Sequence, residues 1–79
     1  MSTFPLTIAT VDKTLFHGAA VSVNVPGSDG ELTVLAHHTP LVTTLIAGEI
    51  RVKTEHDTLT FPIERGLLEV SRNEAVVLL

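Results

Sequence analysis

The most informative segment of this chain is Val23-Asn-Val-Pro-Gly-Ser-Asp-Gly-Glu-Leu-Thr-Val-Leu-Ala-His-His-Thr-Pro-Leu41. It places a Gly-rich acidic turn between two runs in which apolar and polar residues alternate, a pattern typical of β-strands with one buried face. The first run is expected to end at Pro26-Gly27, because this dipeptide is a strong turn signal. A His-Thr-Pro corner follows the second run, and Pro40 cannot donate a ladder hydrogen bond, so Leu41 should begin a new strand. The stretch therefore predicts a β-hairpin followed by a corner, and no catalytic or cofactor fingerprint accompanies it.

The same alternation recurs along the rest of the chain. Residues 21–25, 49–53 and 58–63 each place apolar side chains on one face, and the last two runs are expected to pair as antiparallel strands across the turn 54–57. No segment keeps an apolar period of 3.6 residues long enough for a substantial helix. We therefore predict an all-β fold, a small β-sandwich or flattened barrel of about eight to ten short, mainly antiparallel strands that fills residues 1–79 as a single domain.

Several places put apolar residues at adjacent positions. They are Leu41-Val42, Leu45-Ile46, Leu67-Leu68 and Val76-Val77-Leu78-Leu79. Neighbouring residues of a strand point to opposite faces, so some of these side chains must lie outside the main core. They either occupy strand ends and corners that are covered on both faces, or they form a docking surface for a partner.

Composition excludes several classes of function. The chain has 79 residues, a formal net charge of −4 and no cysteine, so neither a disulfide framework nor a thiolate metal site is available. The 5 Lys and Arg residues are scattered, which argues against binding to nucleic acid. The first residues lack a secretory signal, and no run approaches the roughly 18 to 20 apolar residues that span a bilayer. We expect a soluble intracellular protein without direct membrane insertion.

The candidate reactive groups do not form a site in the sequence. A metal could be held by His37 and His38 with Asp29 or Glu31, but adjacent side chains in an extended segment point apart, so we expect no metal site. Asp29 and Glu31 flank a solvated turn and have no aromatic wall that would give the two carboxyl groups different environments, which favours surface charge over acid–base catalysis. Ser28 has no recognisable base. We therefore predict no enzymatic activity and no cofactor.

Five motifs follow one another along the chain. They are Leu15-Phe16-x-Gly18, Val23-x-Val25-Pro26-Gly27-x-x-Gly30-Glu31-Leu32, His38-x-Pro40-Leu41, Gly48 before Ile50-Arg51, and Gly66-Leu67-Leu68-Glu69-Val70. In the order and spacing of these motifs the chain resembles the N-terminal β-sandwich domain of the epsilon subunit of rotary proton-translocating ATP synthase. The resemblance covers nearly all of the chain.

The sequence also departs from the pattern of that family. Thr33 stands where the family usually has Gly, and Ala36-His37 stands where it usually has Pro-Gly. The family commonly continues into a C-terminal helical hairpin that can bind nucleotide. No such residues follow Leu79 in this sequence, so we expect the hairpin and its nucleotide site to be absent.

The resemblance implies a noncatalytic rotor subunit of the central stalk, which links the gamma subunit to the c-ring and couples proton transport to ATP synthesis. It implies a peripheral position on the cytoplasmic side of the energy-transducing membrane, reached through the ATP synthase complex. By the same resemblance, the residues that face the c-ring are expected to be Ser28, Asp29, Glu31 and His38. Those that face gamma are expected to be Thr10, Thr43 and Ile46.

Two other functions remain open from the sequence. The chain could be a stand-alone β-sandwich adaptor that binds a peptide or protein through apolar strand edges, or a metal-binding accessory domain that uses His37 or His38. Copurification of gamma and c-subunits separates the rotor subunit from the adaptor, and the metal content after purification tests the third function.

Overall fold

The computed structural model describes residues 2–79, in which nine β-strands and no helix are found. Because no helix occurs in this range, none is present there that could cross a membrane. The strands are β1 Phe4–Ala9, β2 Thr14–Ala20, β3 Ser22–Gly27, β4 Gly30–Leu35, β5 Leu41–Leu45, β6 Gly48–Lys53, β7 Thr58–Ile63, β8 Gly66–Val70 and β9 Ala75–Leu78.

The strands form one curled sheet in the order β2-β1-β9-β8-β5-β3-β6-β7, and β4 pairs with β3 beside this path. All pairs are antiparallel except β1 with β9, which run parallel from Leu6 opposite Ala75. The junction between β5 and β3 is the shortest in the sheet: Gly27 and Leu45 are its one register pair, flanked by backbone hydrogen bonds from Ser28 to Thr44 and from Ile46 to Pro26. We call β2-β1-β9-β8-β5 the first layer and β4-β3-β6-β7 the second layer. The predicted all-β, mainly antiparallel sandwich is confirmed.

The hairpin of β3 and β4 differs from the prediction at its turn. β3 continues through Pro26 and Gly27, and the two-residue loop is Ser28-Asp29 between the paired Gly27 and Gly30. The prediction that the strand ends at Pro26-Gly27 is therefore wrong. Along β3, the second neighbouring strand changes from β6 to β5. Pro26 is tolerated because its missing N–H falls at this change.

Both glycines of this turn are needed for its geometry. Gly30 has a φ of 128°, which residues with a side chain rarely adopt. A Cβ on Gly27 would lie 2.7 Å from the carbonyl oxygen of Gly30, closer than van der Waals contact allows. The two-residue turn therefore depends on Gly at each of its ends.

The core consists of apolar side chains from the inner faces of both layers. Burying a Val, Leu or Ile side chain of this kind stabilises the fold by about 1.5 to 3 kcal/mol. At the two ends of the strand order, Phe16 of β2 and Phe61 of β7 meet edge to face, with ring centroids 6.4 Å apart. The largest fully buried residues are Leu6, Ile8, Val23, Val25, Val34, Ile50, Val52, Leu68 and Val77.

The adjacent apolar residues are divided between the two faces of their strands. Leu68 is 0% exposed and its neighbour Leu67 is 36% exposed. Leu45 is buried, whereas Ile46 is 52% exposed. In both pairs one residue lies in the core and its neighbour lies on the surface. This chain therefore does not cover both faces of the strand at these positions.

Candidate interaction surfaces

The outer face of the first layer carries an apolar stripe, which we define as Val42, Ile46, Leu67 and Leu78. Leu67 lies directly opposite Leu78 in β9 and opposite Thr44 in β5. Val42 lies opposite the charged Glu69, and Ile46 follows the last residue of β5. The four members of the stripe are 63%, 52%, 36% and 52% exposed, in chain order. Exposed apolar side chains that are grouped on one layer commonly mark a surface for protein contact.

The outer face of the second layer is mostly polar. Arg51 of β6 lies opposite Thr60 of β7 on one side and Asn24 of β3 on the other, so the three side chains form a row across the layer. The row continues to Thr33, whose hydroxyl accepts a hydrogen bond of 2.8 Å from the amide nitrogen of Asn24. The exposed Leu35 at the end of β4 lies on the same face, so the contrast with the first layer is the polar row against the apolar stripe.

The acidic turn of the β3–β4 hairpin is held firmly against the first layer. The backbone N–H of Ser28 donates to the carbonyl oxygen of Thr44 at 2.9 Å, and the two hydroxyl oxygens lie 2.8 Å apart. A threonine hydroxyl is not a general base at neutral pH, so this contact does not activate Ser28 as a nucleophile. Asp29 and Glu31 are both exposed, one in the loop and one at the start of β4.

Three of the four residues expected to face the c-ring share this turn. His38 lies apart from this turn, because it comes after the far end of β4. The six-residue strand separates that end from the turn by about 17 Å. There its N–H donates to the carbonyl oxygen of Leu35 at 3.2 Å, and its Nδ1 lies 2.8 Å from the carbonyl oxygen of Thr39. The structure thus groups Ser28, Asp29 and Glu31 and separates His38 from them.

The three residues expected to face gamma occupy different environments. Ile46 belongs to the apolar stripe. Thr43 is half-buried and lies opposite the buried Leu68, which places it on the inner face of β5. Thr10 lies three strands from β5, and its Oγ1 accepts hydrogen bonds of 3.2 Å from the N–H groups of Asp12 and Lys13 in the β1–β2 turn.

The sequence placed Val42, Leu67 and Leu78 in apolar runs that could form a docking surface, but it did not assign any of them to the contact with gamma. Assigning them to the surface requires the register of β5, β8 and β9, which fixes the face on which each residue lies.

His37 and His38 are not arranged as a metal centre. His37 is exposed and has a left-handed φ of 68°, and the imidazole of His38 contacts the backbone beside it. Within residues 2–79 no cluster of three or more His, Cys, Asp or Glu side chains is close enough to hold a metal ion.

Together, the curled sheet, the apolar stripe and the acidic turn define a small β-sandwich domain with two exposed surfaces and no arranged reactive site among residues 2–79. The sequence profile of the family described as "ATP synthase, Delta/Epsilon chain, beta-sandwich domain" matches residues 3–79. The chain belongs to this family.

Individual relatives agree with the family match. The chain is 41% identical to the ATP synthase epsilon chain of Protochlamydia amoebophila (strain UWE25) over 76 residues, which are 95% of this chain and 52% of that protein. It is 38% identical to the ATP synthase epsilon chain of Chlorobium limicola over 76 residues, 95% of this chain and 86% of that one. The chain thus spans about half the length of the first relative and most of the second.

A solved structure has the same fold. A chain in the cryo-EM structure of the Euglena gracilis mitochondrial ATP synthase, OSCP/F1/c-ring in rotational state 1, superposes with a TM-score of 0.89 at 22% sequence identity. The match covers 96% of this chain and 49% of that chain.

Proposed function

We propose that this chain is a noncatalytic central-stalk subunit of an ATP synthase, which links the gamma subunit to the c-ring and couples proton transport to ATP synthesis. The observation that carries the proposal is the apolar stripe on a domain of the delta/epsilon family. The names of the relatives support it, since they are epsilon chains of ATP synthase. A peripheral position on the cytoplasmic side of the membrane follows if the chain assembles with these partners.

The apolar stripe is the proposed contact with gamma. Its side chains are exposed in the isolated chain, and each Å² of apolar surface removed from water contributes about 25 cal/mol. The core of such an interface is depleted in charge, which fits the stripe better than the polar outer face of the second layer. Ile46 is the expected gamma-facing residue that lies on the stripe, and Val42, Leu67 and Leu78 extend this assignment. Thr10 and Thr43 stay predictions without a place on the stripe.

The acidic turn is the proposed contact with the c-ring. Asp29 and Glu31 would act as charges at the rim of that contact, which set orientation more than affinity. Ser28 anchors the turn to β5 through two short contacts with Thr44, so the charges are carried on a backbone that is fixed to the sheet. His38 remains a proposed c-ring residue, and it would require a second contact at the other end of β4.

The mechanical role follows from the way the sheet is joined. Each strand of the first layer is hydrogen-bonded to its neighbours from β2 to β5, and the Ser28–Thr44 contacts fasten the acidic turn to the last of these strands. A force applied at the turn is therefore transmitted through paired backbone to the apolar stripe, without a flexible linker between the two surfaces. This is the property that a part lying between a rotating shaft and a ring requires.

Copurification tests this function. The intact chain, tagged and expressed in its own cells, should bring down gamma and c-subunits from detergent extracts. A Leu67→Lys variant should lose gamma by at least about tenfold, because a charge enters the apolar stripe. The matched control Thr60→Lys, on the polar outer face, should retain it. Recovery of other proteins in place of gamma and c-subunits would contradict the rotor assignment and support the adaptor function.

A further inference from the structure

Three strands of the sheet have a neighbour on one side only, and their free edges differ in chemistry. β2 and β7 end the strand order, and β4 pairs with β3 alone. A free edge presents backbone N–H and C=O groups that can pair with a strand of another chain, and proteins commonly block such edges with Pro or charge. β4 carries the charged Glu31 near its start. β7 and β2 require a closer comparison.

The edge of β7 is interrupted by Pro62. The N–H of Thr54 donates to the carbonyl oxygen of Asp57 at 2.8 Å, which makes these two residues a hydrogen-bonded pair at the end of the β6–β7 ladder. Hydrogen-bonded and non-hydrogen-bonded pairs alternate along an antiparallel ladder, so Pro62, opposite Glu49, falls at a non-hydrogen-bonded pair. Its nitrogen therefore faces the free edge and offers no donor.

The edge of β2 has no such block. The N–H of Leu79 donates to the carbonyl oxygen of Ala9, so the odd-numbered residues of β1 face β9 and the even-numbered residues face β2. Gly18 consequently bonds to β1, whereas His17 and Ala19 direct their N–H and C=O groups to the free edge. The strand Thr14–Ala20 contains neither Pro nor a formally charged residue.

An apolar hollow opens beside this edge. It has a volume of about 180 Å³ and is lined by Thr3, Phe4, Pro5, His17, Gly18 and Ala19. Gly18, which has no side chain, and Ala19, which carries only a methyl group, do not fill it. The Nδ1 of His17 lies 3.0 Å from the hydroxyl of Thr7, which turns the imidazole toward β1 and leaves the free edge accessible.

We propose that the free edge of β2 binds an extended segment of a partner protein, which adds a strand to the first layer and places an apolar side chain in the hollow. In this mode of recognition the backbone hydrogen bonds supply affinity and a pocket for alternate side chains supplies specificity. Because β2 and the hollow carry no formal charge, the matching segment is neutral and apolar at alternate positions. The surface is separate from the apolar stripe and from the acidic turn.

Amide hydrogen exchange with a defined probe tests the proposal. The probe is a capped eight-residue peptide that alternates Val and Thr and is N-methylated at every second residue, so that it has a single hydrogen-bonding edge. Under saturating peptide, exchange should slow by at least about tenfold at His17 and Ala19 and stay unchanged at Thr60 on the blocked edge. Absence of slowing at millimolar peptide, or equal slowing at Thr60, would overturn the proposal.

Variants on the two edges make the test specific. Ala19 is exposed, so Ala19→Lys should keep the fold while it places a charge at the free edge and abolishes the protection by the peptide. The control Thr60→Lys on β7 should leave that protection intact. Peptide binding by Ala19→Lys equal to that of the parent would overturn the proposal. So would dimerisation of the free chain with the same protection of His17 and Ala19, because a second copy would then be the occupant.

Discussion

At the scale of single residues, the adjacent leucines of β8 occupy opposite environments. Leu68 is fully buried, and Leu67 is 36% exposed on the apolar stripe. One leucine thus contributes to the core, and the leucine next to it belongs to the proposed gamma contact. A variant of each residue separates these two contributions.

Leu68→Ala should lower the free energy of unfolding by about 2 to 5 kcal/mol, because it leaves a cavity in the core. Leu67→Ala should lower it by less than about 1 kcal/mol and should instead weaken copurification of gamma. Urea denaturation followed by circular dichroism measures the first effect. Equal loss of stability in both variants would contradict the placement of Leu67 on the surface.

Gly27 offers a second prediction at this scale. Gly27→Ala should destabilise the fold by about 1 to 3 kcal/mol, because its methyl group would collide with the carbonyl oxygen of Gly30 and neither backbone can move freely within the turn. Gly18→Ala is the matched control, since its Cβ would meet the ring of Phe16 at 3.5 Å, an ordinary contact. If Gly27→Ala left the free energy of unfolding unchanged, the turn would be less tight than it is in the structure.

At the scale of strands, local sequence patterns predicted where the strands lie but not how all of them pair. The alternation in residues 49–53 and 58–63 predicted the β6–β7 hairpin, which is confirmed. The parallel pairing of β1 with β9 joins the two ends of the chain, and no local pattern specifies such a distant contact. The predicted end of β3 was wrong. The turn signal at Pro26-Gly27 was taken to exclude these residues from a strand, although Pro fits where a ladder hydrogen bond is not needed.

The same distinction applies to the candidate site. The residue types of the acidic turn were visible in the sequence, and Ser28, Asp29 and Glu31 are close because they are neighbours in the chain. Whether His38 joins them depends on the direction and length of β4, which the structure provides and a list of motifs does not. The apolar stripe likewise requires the register between strands.

The contact between the two end strands gives a prediction at this scale. A double-mutant cycle with Phe16→Leu and Phe61→Leu should show a coupling of about 0.5 to 1.5 kcal/mol, because an edge-to-face pair contributes that much beyond burial. If the losses of unfolding free energy measured by urea denaturation were additive, β2 and β7 would not stabilise one another across the sandwich.

At the scale of the whole molecule, the two outer faces of the sheet differ in chemistry. The first layer bears the apolar stripe, and the second layer bears the polar row from Thr33 to Thr60. Both layers contribute inner faces to one core, so stability alone does not require this difference. The proposed function accounts for it, because gamma would then cover the apolar stripe.

Single-cysteine crosslinking tests whether gamma covers the apolar stripe, because the sequence has no native cysteine and every introduced thiol is unique. Cysteines at Val42, Leu67 and Leu78 should crosslink to gamma in the assembled complex, whereas cysteines at Thr33 and Thr60 should not. Crosslinks to gamma from Thr33 and Thr60, with none from the apolar stripe, would show that gamma lies on the second layer instead.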